Sequence, residues 1–216
     1  MNNLIALPPE TQLDYILVDG SGSMQPHWYN FLAAADILID AVRASTIQSH
    51  LIAHVFDSAD LEMIQRDGPL AQCATFRDQP LSSHFQATPL YDAINCMCIR
   101  LRALDPQKCS IIIVTDGMDT KSYTYITQAK ALLDWCRAKG WQVTFIGCDW
   151  NNFEQARELG ADDTNCIGTS SKRLTEAARL LAGKRLSYGH SDDPIEFSNS
   201  ERESFGGYLP PPASPE

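Results

Sequence analysis

The chain has 216 residues, of which 44% are hydrophobic and 20% charged, and its formal net charge is −10. That length suits one α/β domain with a real core plus a tail. The acidity argues against a nucleic-acid partner, since it repels phosphate, and no stretch reaches the ~18 to 20 apolar residues that span a bilayer.

The first ten residues (MNNLIALPPE) lack the basic start and long apolar run of a signal peptide. The seven cysteines form no CxxC pair and read as buried, reduced thiols, so a cytoplasmic location is expected. Leu13 to Val18 is a short run rich in apolar and β-branched residues that stops at Asp19-Gly20, the pattern of a buried parallel strand. From Trp28 to Arg43, apolar residues recur at helical spacing through Phe31, Leu32, Ala35, Leu38, Ile39 and Val42. His50 to Phe56 predicts a second strand and Leu61 to Gln65 a short third one at an edge. Residues 69–86 carry no clear period.

Helix resumes at Pro89, with Thr88 as the expected N-cap. Its stripe runs through Leu90, Ile94, Met97, Leu101 and Leu104. Ser110 to Thr115 is a strongly apolar strand that again stops at Asp-Gly. A helix is expected over Tyr123 to Lys139, a strand over Trp141 to Gly147 and a helix over Asn152 to Leu159. A short strand over Asn165 to Gly168 and a last helix over Ser171 to Leu186 complete the pattern. This alternation predicts an α/β, Rossmann-like, doubly wound fold with a mostly parallel sheet and helices on both faces. The expected limits are an extension over 1–12, a domain over 13–186 and an acidic, Pro-rich, flexible tail over 187–216.

Three short stretches carry chemistry. Asp19-Gly20-Ser21-Gly22-Ser23 follows the first strand, Thr88 precedes the helix at Pro89, and Asp116-Gly117 follows the Ile-Ile-Ile-Val strand. Each alone reads as a turn or a cap. Together they supply two carboxylates and three hydroxyls from loops at the carboxyl edge of one sheet. In a doubly wound sheet the strand ending at Asp116 would adjoin the first across the switch point, where a crevice opens. Such a hard-oxygen set is of the kind Mg2+ or Mn2+ prefers. Neutral hydroxyls would leave the cation able to attract a further anionic ligand, such as a partner protein's Asp or Glu.

These stretches resemble the metal-ion-dependent adhesion site of von Willebrand factor A domains, and the resemblance extends over roughly Leu13 to Gly183. It implies a six-stranded sheet with one short antiparallel edge strand. It also implies Mg2+ held by Ser21, Ser23 and Thr88, with Asp19 and Asp116 bound directly or through water. The implied function is capture of a protein ligand through the metal, without catalysis, in the manner of stand-alone bacterial or phage members. Gln86-Ala87 stands before Thr88, where a glycine is common, which predicts a stiffer loop.

Around this set, Asp57, Gly117, Asp119 and Trp28 are candidates for a supporting layer or a partner-facing rim. Asp57 reads more readily as a turn residue, Asp119 and Lys121 as a solvated loop, and Trp28 as packing at a helix start beside His27. His50 and His54 share a strand face but lack a third zinc ligand. A metal-dependent hydrolase or phosphatase using the same crevice is the alternative. It would need a general base, and no His or spare Glu is expected at a strand end beside Asp19 or Asp116.

Overall fold

A computed structural model of the chain describes residues 7–8, 10–116, 118–147, 152–170 and 173–205. The elements in chain order are β1 (Gln12–Asp19), α1 (Trp28–Arg43), β2 (Ser49–Phe56), β3 (Met63–Pro69), α2 (Leu90–Leu104) and β4 (Cys109–Thr115). They continue with α3 (Ile126–Ala138), β5 (Gln142–Gly147), α4 (Asn152–Glu158), β6 (Cys166–Gly168), α5 (Leu174–Ser191) and α6 (Asn199–Ser204). The six strands form one sheet in the order β3-β2-β1-β4-β5-β6. All neighbours pair in parallel except β2 and β3.

Side chains that alternate across β1 explain the two layers. Ile16 and Val18 pack with α1 and α5, together with Leu51, Ala53 and Val55 of β2 and Ile112 and Val114 of β4. Tyr15 and Leu17 face the other way, into a second core with Leu90, Ile94, Met97 and Leu101 of α2 and Leu133 of α3. Strands buried on both faces read as near-continuous apolar runs, which is what β1 and β4 are. The described cysteines, Cys73, Cys96, Cys98, Cys109, Cys136 and Cys166, are free thiols, and four of them are buried.

Helix α5 is tied to the sheet by a buried ion pair. The Arg185 guanidinium donates from Nε and Nη2 to both oxygens of Asp14 on β1, the second at 3.0 Å, and Ser49 of β2 donates to the same carboxylate.

Several boundaries differ from the sequence reading. The third strand begins at Met63, because Asp57 holds the turn that precedes it: its Oδ1 accepts from the N–H groups of Ala59 (2.8 Å) and Asp60 (3.1 Å). Helix α2 begins at Leu90 with Pro89 in the cap position and no side-chain cap, so Thr88 does not cap it. Helix α3 begins at Ile126, not Tyr123, since Asp92 takes the N–H groups of Tyr123 (2.9 Å) and Thr124 (2.8 Å) and holds them in a loop.

The largest correction concerns the tail expected from residue 187. Helix α5 continues to Ser191, and residues 192–205 pack onto the domain. Tyr188, Ile195 and Phe197 are buried in the α1/α5 core. The Phe197 N–H donates to the Thr164 carbonyl (2.7 Å), and Asn165 donates to the Ile195 carbonyl (3.1 Å). Polar composition hid two large apolar side chains, two residues apart, that anchor the segment. Residues 206–216 lie outside the described residues.

Candidate metal centre

The parallel strands β1 and β4 are neighbours, so Asp19 at the end of one and Asp116 just past the end of the other emerge at the same sheet edge. The Ser21 N–H donates to Asp19 Oδ1 (2.8 Å), folding the loop back over the strand end, and the Thr115 hydroxyl donates to Asp19 Oδ2 (2.6 Å). Ser21 Oγ lies 3.0 Å from Ser23 Oγ, and the Ser23 hydroxyl donates to Asp116 Oδ1 at 2.7 Å, across 93 positions of sequence. Asp19, Ser21 and Thr88 are buried, Asp116 is half-buried and Ser23 is exposed, so the cluster opens outward at Ser23.

Thr88 joins through its backbone neighbours. The Gln86 carbonyl accepts from the Gly22 N–H (2.8 Å). The Thr88 N–H donates to Thr120 Oγ1 (3.1 Å), and the Thr88 carbonyl accepts from the Thr120 N–H (2.9 Å). The 86–88 stretch is thus pinned between the Asp19 loop and the residues after Asp116.

The charge balance of this cluster suits a cation. Burial pushes the Asp19 carboxyl up to about 6, with the negative charge of Asp116 adding to the rise; hydrogen bonds from Thr115 and Ser21 work against it. Neutral donors alone do not bring Asp19 back to the ordinary carboxylate range. Two carboxylates and three hydroxyls are hard oxygen donors that fit Mg2+ or Mn2+. Among the described residues no group of three His, Cys, Asp or Glu could hold a metal. Hydroxyls have to provide the remainder of any ligand set here.

Asp57 is fully buried behind the cluster and organises two loops at once. Besides the turn at 59–60, its Oδ2 accepts from the His84 N–H (2.9 Å) and lies 3.1 Å from Ser83 Oγ, which also donates to the Gly20 carbonyl. Burial pushes the Asp57 carboxyl up, and the N–H groups of Ala59, Asp60 and His84 with the Ser83 hydroxyl outweigh it and hold it below the ordinary value. Its position is that of a support for Gly20, not of a ligand. Asp119 accepts from the Tyr91 N–H (3.3 Å) and from Ser122, so it braces the loop after β4 against α2. Trp28 is no part of a rim: it is buried, and its indole N–H donates to the Leu81 carbonyl (3.1 Å). Gly117 lies outside the described residues. His54 bonds Tyr15 and the Leu61 carbonyl, whereas His50 pairs with Asp67, so the two histidines share no site.

The sequence reading missed Ser83, Asp92 and Thr120, which hold the loops in place through contacts of long sequence separation that spacing does not reveal. It met Thr115 only as the residue before Asp116, without its bond to Asp19. The rim itself is aromatic. Among the described residues the large exposed hydrophobic side chains are Tyr29 (80%), Ile99, Met118 (47%), Tyr123 (90%) and Tyr125 (73%). All but Ile99 lie on loops or helix starts at the edge of the sheet that bears Asp19 and Asp116.

No protein-family model matches the chain, and no curated protein matches it. Solved structures do. The vWF domain of the type V pili tip protein Mfa5 from Porphyromonas gingivalis superposes with a TM-score of 0.63 at 11% identity, covering 87% of this chain and 99% of that one. Manganese-loaded Plasmodium vivax TRAP protein gives 0.52 at 15% identity, over 79% of this chain and 72% of that one. Proximal thread matrix protein 1 from the mussel byssus gives 0.57 at 14% identity over 80% of this chain, which spans 45% of that structure's length. With its single antiparallel edge pair and its helices on both faces of a six-stranded sheet, the chain has a von Willebrand factor A-type fold.

Proposed function

We propose that the chain is a metal-dependent protein-binding module, an adaptor or assembly factor and not an enzyme. Mg2+, or Mn2+ in its place, is held by Ser21, Ser23 and Thr88, with Asp19 and Asp116 bound directly or through water. A carboxylate from a partner's Asp or Glu completes the coordination. The observation that carries this reading is the bonded chain Ser21–Ser23–Asp116, which joins oxygen donors of β1 and β4 at a half-open position above buried Asp19. The metal would supply a fixed positive charge at the protein surface. The chain's own residues would supply its orientation, through the serine pair and the Asp57-supported loops. Likeness to a manganese-loaded protein and to a pilus-tip domain supports the same reading.

We place the protein in the cytoplasm, in keeping with six described free thiols; no helix among the described residues is long and apolar enough to cross a membrane. The test is partner capture in Mg2+ and in chelator. Capture is expected to vanish in EDTA, to return with Mg2+ or Mn2+, and to be lost in Ser21→Ala. Capture that survives chelation would overturn the metal-dependent reading.

A further inference from the structure

The core under α2 and α3 contains thiols that the oxygen cluster does not use. Cys98 on α2, Cys136 on α3 and Cys109 at the start of β4 are all fully buried there. Helices α2 and α3 pack against each other, and across 38 positions of sequence the Sγ atoms of Cys98 and Cys136 lie 3.8 Å apart in an S–H···S contact. A soft cation would need further ligands, and among the described residues no group of three His, Cys, Asp or Glu could hold one. Two thiols in contact can instead be oxidised together. A disulfide holds its sulfurs at about 2.05 Å, so closing the 3.8 Å contact takes a movement on the scale of a χ1 rotation of each side chain.

The two sulfurs are not equivalent. The bond shared with Cys98 holds the Cys136 thiol below its ordinary value against the effect of burial, and the positive charges of Arg137 and Arg102 act in the same sense. Cys98 is pushed up by that same bond and by burial. Cys136 is therefore the better nucleophile. It also lies in the last turn of α3, which ends at Ala138, where local opening is least costly and a water-sized oxidant can enter.

We propose that Cys98 and Cys136 are a redox pair, which a peroxide converts into a disulfide crosslinking α2 to α3 and which an added dithiol restores. The Cys136 thiolate attacks one peroxide oxygen; an S–O bond forms, the O–O bond breaks, and the leaving hydroxide takes up the thiol's proton as water. The Cys98 sulfur then attacks the sulfenic sulfur; the S–S bond forms, the S–O bond breaks, and the hydroxyl leaves with the Cys98 proton as a second water. Two thiols lose two electrons and two protons, and the peroxide is reduced to two waters. Helix α2 begins behind Thr88 and α3 behind the loop that follows Asp116, so the crosslink ties together two helices that start beside the oxygen cluster.

Hydrogen peroxide added to the folded full chain tests the pair, followed by alkylation with iodoacetamide in urea, digestion without reductant and mass spectrometry. The expected product is a Cys98–Cys136 linked peptide from a chain lighter by two hydrogen atoms, lost again after dithiothreitol. The oxidised chain should unfold at a higher urea concentration than the reduced one, because the crosslink restricts the unfolded chain. In Cys98→Ala, Cys136 should stop at the sulfenic acid and be captured by dimedone, with no such rise in the urea midpoint. Full alkylation of both thiols in the peroxide-treated wild type would overturn the pair. So would their separate oxidation to sulfinic acids, a link through Cys109 or between two chains, or a crosslink that forms only when peroxide is added in urea.

Discussion

Phe85 shows how the loop beside the Asp19/Asp116 oxygen cluster is held. Its φ of 54° lies in the left-handed region, which costs a side chain with a Cβ about 1–2 kcal/mol. The ring offsets that cost by standing edge-on to Trp28, with centroids 5.4 Å apart and planes at 84°. Phe85→Ala keeps the backbone cost and loses the ring, so a loss of about 1–3 kcal/mol is expected in urea denaturation. Phe85→Gly loses the same ring but relieves the backbone, and it should be the milder variant by up to about 1 kcal/mol, the reverse of the usual order. Gly20 is constrained by space: a Cβ there would lie 2.2 Å from Ser83 Oγ and 2.9 Å from Val55 Cγ1. Gly20→Ala should therefore cost about 1–3 kcal/mol in thermal or urea melts and displace the Ser83 loop from Asp57. The oxygen-bearing cluster itself was legible as three motifs, because Asp-x-Ser-x-Ser, Thr-Pro and Thr-Asp-Gly sit where apolar runs stop. The strained Phe85 was not: the resemblance flagged Gln86-Ala87 as standing where a glycine is common, but gave no hint of the left-handed Phe85 and its aromatic stack just before them.

At the level of elements, α5 is the piece whose attachment is most specific. Arg185 and Asp14 are both buried, and Ser49 completes the carboxylate's partners. Removing one partner leaves a buried charge, so Asp14→Ala or Arg185→Ala should each cost about 3–5 kcal/mol in chemical denaturation. Replacing the pair together, as Asp14→Leu with Arg185→Met, should restore most of that stability, since no lone charge remains. A double variant no better than the singles would show that the pair's geometry, not its uncompensated charge, sets the stability. The sequence reading ended this helix five residues early. Gly183 and Gly189 resemble stop signals, yet Gly189 lies inside the helix because a Cβ there would meet Ile47 Cδ1 at 2.3 Å. Close packing between distant segments demands that glycine, and only the folded chain reveals it. Helix α1, by contrast, spans Trp28–Arg43 as its apolar stripe predicts, because one periodic face meets one sheet.

For the whole molecule, sheet topology brings three distant stretches to one sheet edge, and the proposed metal site would then couple fold to metal binding electrostatically. The Asp19 carboxyl, pushed up to about 6, has an ordinary value near 3.9 when the chain is unfolded. A raised acid favours the folded state while protonated: that contribution is complete below about pH 4 and is lost as pH rises through about 6. At neutral pH the metal-free domain therefore carries a destabilising buried carboxylate, roughly 3 kcal/mol from the size of the shift. A cation bound as proposed would relieve it. The rise in Tm on replacing EDTA with Mg2+ should be large at pH 7.5 and small at pH 5, as read by scanning calorimetry. An increment equal at both values would detach Asp19 from the metal.

The most direct measurement is a Mn2+ titration of the metal-free chain, counting bound ions by the loss of the free-ion signal in electron paramagnetic resonance. One ion per wild-type chain is expected. Asp116→Asn should bind at least about tenfold more weakly with an unchanged circular dichroism spectrum. Equal binding by the two chains, or no binding by the wild type, would contradict the cation site formed by the β1 and β4 loops.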